Sequence, residues 1–146
     1  MSGTFELREH TADVAVAASG ATAGDVFAAV ADGLAAAACE SVPESGDRFR
    51  LVERAESREA LLFDYLDALI RERDIRGVLP VDNRAAVSAP DDGPGGETDG
   101  DWTVEASARG VSLGDVAARD VKAVTYSEMR IEQTADGWEA YVVFDV

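Results

Sequence analysis

Two stretches of this chain carry apolar residues at helical spacing, while most of the remaining apolar residues alternate with polar ones. In the first stretch, Val26, Phe27, Val30 and Leu34 line one side of a segment running from Thr22 or Ala23 to about Cys39. Residues three and four apart share a helix face, so the spacing predicts an amphipathic helix. Thr22 stands where an N-cap belongs, and Asp25 three residues later approximates a capping box, with Asp replacing the usual Glu. In the second stretch, Leu61, Leu62, Tyr65, Leu66, Leu69 and Ile70 repeat the spacing between Arg58 and about Asp74, behind a Ser57 cap.

Around these helices the pattern is that of strands. Phe5 to Leu7 and Val14 to Ala17 precede the first helix, and Arg48 to Arg54 separates the two. Gly77 to Ala89 is mostly extended, interrupted by Pro80 and Asn83. Pro90 to Gly100 is so rich in Gly, Pro, Asp and Thr that it reads as a solvated hairpin loop. Trp102, Val104 and Ala106 resume a strand, and Gly110 to Asp120 is a connection. Val121 to Tyr126, Met129 to Gln133 and Trp138 to Val146 read as three more strands, with Asp136-Gly137 as the hairpin turn between the last two. The order predicts an α+β fold in two layers, with two main helices packed on one face of a mixed, mostly antiparallel sheet. Residues 1–146 read as a single domain, large enough for a core without disulfide staples.

Composition narrows the function classes. No apolar run approaches the roughly 20 residues that span a bilayer. The first residues lack the basic-then-apolar order of a secretory signal. A single cysteine, Cys39, excludes an internal disulfide and a multi-cysteine metal site, so a cytoplasmic address is the default. The net charge is −16, the acids are spread along the chain, and one lysine stands among 13 basic residues. A solvated acidic shell nearly free of lysine fits a salt-adapted protein of haloarchaeal type. The charge also argues against strong direct nucleic-acid binding, because phosphate contacts come largely from Lys and Arg.

Few residues are placed to carry chemistry. Asp13 follows His10-Thr11-Ala12 at the start of a strand, where it serves either as a turn aspartate bonding backbone amides or as a carboxylate aimed into a cleft. Asp145 interrupts the apolar run Tyr141 to Phe144. With the oxygens of Val146 beside it, it offers either a solvated edge or a hard-oxygen site suited to Ca2+, Mg2+ or Mn2+. Asp13 joins that site only where the first and last strands meet. Lys122, the lone lysine, is either an edge-strand guard against aggregation or a cation for carboxylates, a phosphate or a partner. His10 has no second His or Cys to make a metal site and fits a local hydrogen-bonding role better. Cys39 fits as a small buried residue, and Ser127 lacks the companions of a nucleophile.

Four words of the sequence resemble the archease family in order and spacing: Glu9 to Val14 (EHTADV), Leu61 to Leu66 (LLFDYL), Val121 to Tyr126 (VKAVTY) and Val143 to Val146 (VFDV). The resemblance covers nearly the whole chain. It implies a protein cofactor, itself no ligase, that activates the RtcB-type RNA ligase of tRNA splicing by promoting its guanylylation and multiple turnover. GTP and tRNA are then partners only through the ligase, and no membrane is involved. It assigns no catalytic residue. It implies that Asp13 and Asp145, helped by Val146, hold a divalent metal ion, Ca2+ ahead of Mg2+ or Mn2+, and that Lys122 is functional. Some members of the family are chaperone-like modulators of tRNA methylation, which gives one alternative. A stand-alone metal-dependent hydrolase is another, against which no nucleophile or general base is visible. Two departures stand out: the segment before Lys122 lacks the family's Arg-His pair, and Ser127 replaces a frequent His.

Overall fold

The computed structural model describes residues 3–9, 13–39, 41–90, 101–116, 118 and 121–146. Seven strands and two helices follow one another as β1 (Thr4–Glu9), β2 (Asp13–Gly20), α1 (Ala23–Ala38), β3 (Asp47–Ala55), α2 (Arg58–Arg76), β4 (Val78–Ser88), β5 (Trp102–Ser112), β6 (Ala123–Thr134) and β7 (Gly137–Asp145), with a 3-10 turn at Leu113–Asp115. The α+β class is as expected. The strands, however, form two sheets rather than one, ordered β1-β2-β7-β6 and β3-β5-β4, and every described pairing is antiparallel. Both helices touch both sheets, so a single core is shared.

The helices form where their caps and stripes place them. Thr22 Oγ1 accepts from the Asp25 amide at 3.0 Å, and Ser57 Oγ accepts from the Ala60 amide at 3.1 Å. These side chains satisfy backbone donors that the first helical turn leaves without partners. α2 ends at Gly77, whose left-handed φ of 66° suits a residue without Cβ. Its stripe is fully withdrawn from water: Leu61, Leu62, Tyr65, Leu66, Leu69 and Ile70 are all buried. Each such side chain contributes about 1.5–3 kcal/mol of hydrophobic stabilisation. α1 packs closely on both sides. At Gly24 a side chain would meet the Ala85 carbonyl of β4, and at Gly33 it would meet Val16 of β2.

Three local expectations shift. The two strands expected at Val121 to Tyr126 and Met129 to Gln133 are one strand, β6, whose register with β7 slips between Thr125 and Arg130. Glu128 lies within that irregularity at φ 57°. The last hairpin turns at Ala135-Asp136, and Gly137 already pairs with Thr134. Gly137 is required for another reason: at φ 149° a Cβ there would strike the Gly20 carbonyl. Cys39 is half-buried at the C-cap of α1, with its thiol donating to the Ser41 carbonyl at 3.1 Å. Residues 91–100, expected to form the hairpin loop, lie outside the described residues, although β4 and β5 do pair as a hairpin from Ser88 and Thr103 inward.

The core holds one polar irregularity. β4 bulges between Val81 and Arg84, with Asp82 at φ 50°. Asn83 turns inward, and its backbone amide and Nδ2 donate to Asp32 Oδ1 of α1 at 3.0 and 2.9 Å. Burial pushes the Asp32 carboxyl up, and the Asn83 hydrogen bonds oppose that. Burial, and then the Asp32 charge, push the fully buried Tyr65 hydroxyl far up, and that hydroxyl has no hydrogen-bond partner among the described residues. Tyr65→Phe is therefore expected to leave stability unchanged or raise it by up to about 1 kcal/mol, since it removes an unsatisfied polar group and keeps the ring. A urea-denaturation midpoint checks this; a loss above about 1 kcal/mol would show that the hydroxyl does bond in solution.

Candidate metal centre

The first and last strands do meet. β2 and β7 are antiparallel neighbours, with Asp13 directly opposite Asp145. Directly opposed residues of an antiparallel pair project from the same face of the sheet, with Cβ atoms about 4.5–5.5 Å apart. Ala123 of β6 lies opposite Asp145 on its other side, so the row across the three strands reads Asp13, Asp145, Ala123. The next residues inward, Val14, Phe144 and Val124, are buried in the core shared with the helices. The alternation of side chains thus sends the two carboxylates to the sheet face away from the helices.

The geometry of this pair could hold a cation. Like charges directly opposite each other destabilise a sheet. Asp13 Oδ1 is buried and accepts no hydrogen bond among the described residues. A buried carboxylate oxygen without a donor costs free energy until something positive satisfies it. The donors are all hard oxygens, which suit Ca2+, Mg2+ or Mn2+ rather than a soft metal. Val146 follows Asp145 directly and is half-buried, so its main-chain oxygens come next along the chain. Among the described residues no cluster of three or more His, Cys, Asp or Glu side chains forms a metal site. A cation placed here would therefore find side-chain oxygens only on Asp13 and Asp145, and would need oxygens of the main chain, of water or of a partner to complete its shell. His10 lies outside the described residues.

Lys122 is tied to Asp145 through its backbone. Its amide donates to the Asp145 carbonyl at 2.8 Å. Its side chain is exposed and forms no ion pair with either carboxylate among the described residues. The ammonium is thus available to a partner and is not spent neutralising the carboxylates.

α2 fixes this segment from behind. Arg73, in the last turn of α2, donates from Nη1 to the Val121 carbonyl at 2.8 Å and also pairs with Asp74 at 3.1 Å. Sequence reading overlooks Arg73, because a basic residue at a helix C-terminus is already explained by the helix dipole. Thr125 Oγ1 donates to the Val143 carbonyl at 3.1 Å, adding a side-chain tie to the β6–β7 ladder. Tyr126 stacks on Phe63 of α2, with ring centroids 4.1 Å apart and planes 4° from parallel. Burial and then the Asp64 carboxylate push the Tyr126 hydroxyl up. The four words therefore form one connected path: α2 holds β6, β6 holds β7, and β7 sets Asp145 against Asp13.

Comparison with known proteins places this arrangement. The model of the Archease protein family matches residues 5–146. The protein archease of Thermococcus gammatolerans is 33% identical over 147 residues, covering 97% of this chain and 98% of the relative. That of Methanosarcina barkeri is 30% identical over 151 residues, covering 97% and 95%. Among solved structures, a Methanobacterium thermoautotrophicum protein superposes with a TM-score of 0.76 at 26% identity, covering 97% and 98%. A Thermotoga maritima archease, solved as a possible chaperone, superposes with a TM-score of 0.60 at 20% identity, covering 97% and 96%, and so shares the fold. None of the described helices is long and apolar enough to cross a membrane. The full-length match to the family, and the assembly of its words around Asp13 and Asp145, lead to one conclusion: the chain belongs to the archease family.

Proposed function

We propose that this chain is a protein cofactor of an RtcB-type RNA ligase in tRNA splicing, promoting guanylylation of the ligase and its multiple turnover. The observation that supports this most is the direct opposition of Asp13 and Asp145, with Asp13 Oδ1 buried and unpartnered among the described residues. A divalent ion held there by Asp13, Asp145 and Val146, Ca2+ or else Mg2+ or Mn2+, supplies positive charge at the surface offered to the partner. The chain's own residues do the positioning. The β2–β7 ladder fixes the carboxylates, Arg73 and the Lys122 amide hold the β6–β7 end in register, and the exposed Lys122 ammonium reaches a phosphate or carboxylate of the ligase–nucleotide complex. The gain in rate then comes from orientation and preorganised charge contributed by a partner.

The test is single-turnover guanylylation of the cognate ligase from GTP. Asp13→Ala and Asp145→Ala are each expected to return the rate to that of the ligase alone, and Lys122→Ala to weaken activation. Activation by both aspartate variants equal to that of the unaltered protein would end this reading. Activation that survives exhaustive chelation, with the ligase's own metals restored, would favour the chaperone role suggested for the Thermotoga maritima relative. Turnover of nucleotides by this protein alone would favour a hydrolase.

A further inference from the structure

The chain carries a net charge of −16, yet folding gathers five arginines on one side of the three-stranded sheet. Arg48, Arg50 and Arg54 are exposed along β3, with Phe49 and Leu51 between them facing the core. Arg50 lies directly opposite Ser107 of β5, and Ser107 lies directly opposite Arg84 of β4. Arg48 donates to Ser107 Oγ at 2.9 Å, which puts Arg48, Arg50, Ser107 and Arg84 on one face, turned away from the helices. Arg109 lies opposite Arg48, and both approach Asp82 Oδ2, at 4.0 and 2.9 Å.

The five arginines divide by their bonding. Arg48 and Arg109 are structural: they hold Asp82 at the β4 bulge, and Arg109 also donates to the Pro43 and Ser45 carbonyls at 2.9 and 2.6 Å. Arg50, Arg54 and Arg84 have no hydrogen bond, ion pair or ring contact among the described residues. Three guanidinium groups without partners among the described residues, on one sheet face of a protein with more than twice as many acids as bases, leave a local positive patch open to an anion. Glu105 is the acid among the residues lining the shallow groove between Arg50 and Arg84.

We propose that this face binds the phosphodiester backbone of a nucleic acid. Guanidinium groups pair with phosphate oxygens in a planar, two-pronged geometry. Along β3, side chains on one face recur about every 7 Å, so Arg48 and Arg50 are neighbours and Arg54 stands two steps beyond Arg50, across Val52. Val52 is the exposed apolar residue of that row, and no aromatic side chain accompanies it. A protein partner would be expected to find a buried apolar or aromatic anchor here; a row of cations without one suits backbone contacts that carry no base specificity. Such binding is modest and strongly salt-dependent, because its free energy comes from released counterions. The site is separate from the Asp13–Asp145 centre and does not depend on it.

The test is fluorescence anisotropy of the full-length protein with a labelled unstructured single-stranded RNA, across a series of salt concentrations. Arg50→Gln/Arg84→Gln is compared with Arg71→Gln/Arg130→Gln, which changes net charge equally on other surfaces. The first pair is expected to weaken binding by about tenfold or more and to flatten the slope of log K against log salt by about 1.4, or 0.7 for each lost contact. The second pair is expected to stay within about twofold of the unaltered protein. Equal losses in both pairs, or no RNA binding even at low salt, would overturn the proposal. Tighter binding of polyglutamate than of RNA would overturn it as well, in favour of an acidic protein partner.

Discussion

Truncating Phe144 to alanine is expected to cost about 3–5 kcal/mol, the usual loss for a large aromatic removed from a core that cannot fully collapse. Phe144 is completely buried and lies opposite Val14 on one side and Val124 on the other. It also directly precedes Asp145, so the packing that holds its ring holds the carboxylate one residue later. For a domain of this size, whose whole stability is about 5–15 kcal/mol, such a loss threatens folding itself. Urea denaturation should show a lower midpoint with an unchanged slope. A loss below about 1 kcal/mol would mean that β7 is held mainly by its ladder, and that Asp145 is placed by hydrogen bonds rather than by the core.

Calcium at a hundred times its dissociation constant is expected to stabilise the protein by about 2.7 kcal/mol, because an ion that binds only the folded chain shifts unfolding by mass action. Asp13→Asn should remove most of that gain. In chelator the sign should differ. There the unaltered protein keeps two facing carboxylates with nothing between them, and Asp13→Asn removes one of the charges. The variant is therefore expected to be as stable as the parent without metal, or more stable, and clearly less stable with it. Thermal melts at constant ionic strength, with and without the ion, read this crossing directly. Identical melting of the unaltered protein under both conditions would remove the metal from the site.

Much of the fold could be read along the chain because its signals are local. Caps at Thr22 and Ser57, together with the two apolar stripes, place both helices to within a few residues. Strand alternation finds the strands but does not say which of them pair, and so one sheet was expected where there are two. The break at Ser127 and Glu128 reads as a gap between strands, because a bulge interrupts alternation in the same way that a turn does. Asp13 and Asp145 stand out as carboxylates at strand ends, but their meeting depends on β7 lying between β2 and β6, which no local pattern encodes. Arg73 and the arginine face were hidden for the same reason. Arg73 reaches a carbonyl 48 positions away, and the five arginines lie between residues 48 and 109 with acids interspersed.

The Asp13–Asp145 pairing also bears on the order of events in folding. It joins positions 132 apart (145 minus 13), and β7 is the central bridge of its sheet. Contacts so distant in sequence form late, since the chain must close a long loop before they yield any stabilisation. During synthesis the β1–β2 hairpin emerges first and has to wait for almost the whole polypeptide before its inner edge finds a neighbour. A partly made or partly unfolded chain therefore has no paired carboxylates to offer, and Asp13 meets Asp145 only when the last strand has docked.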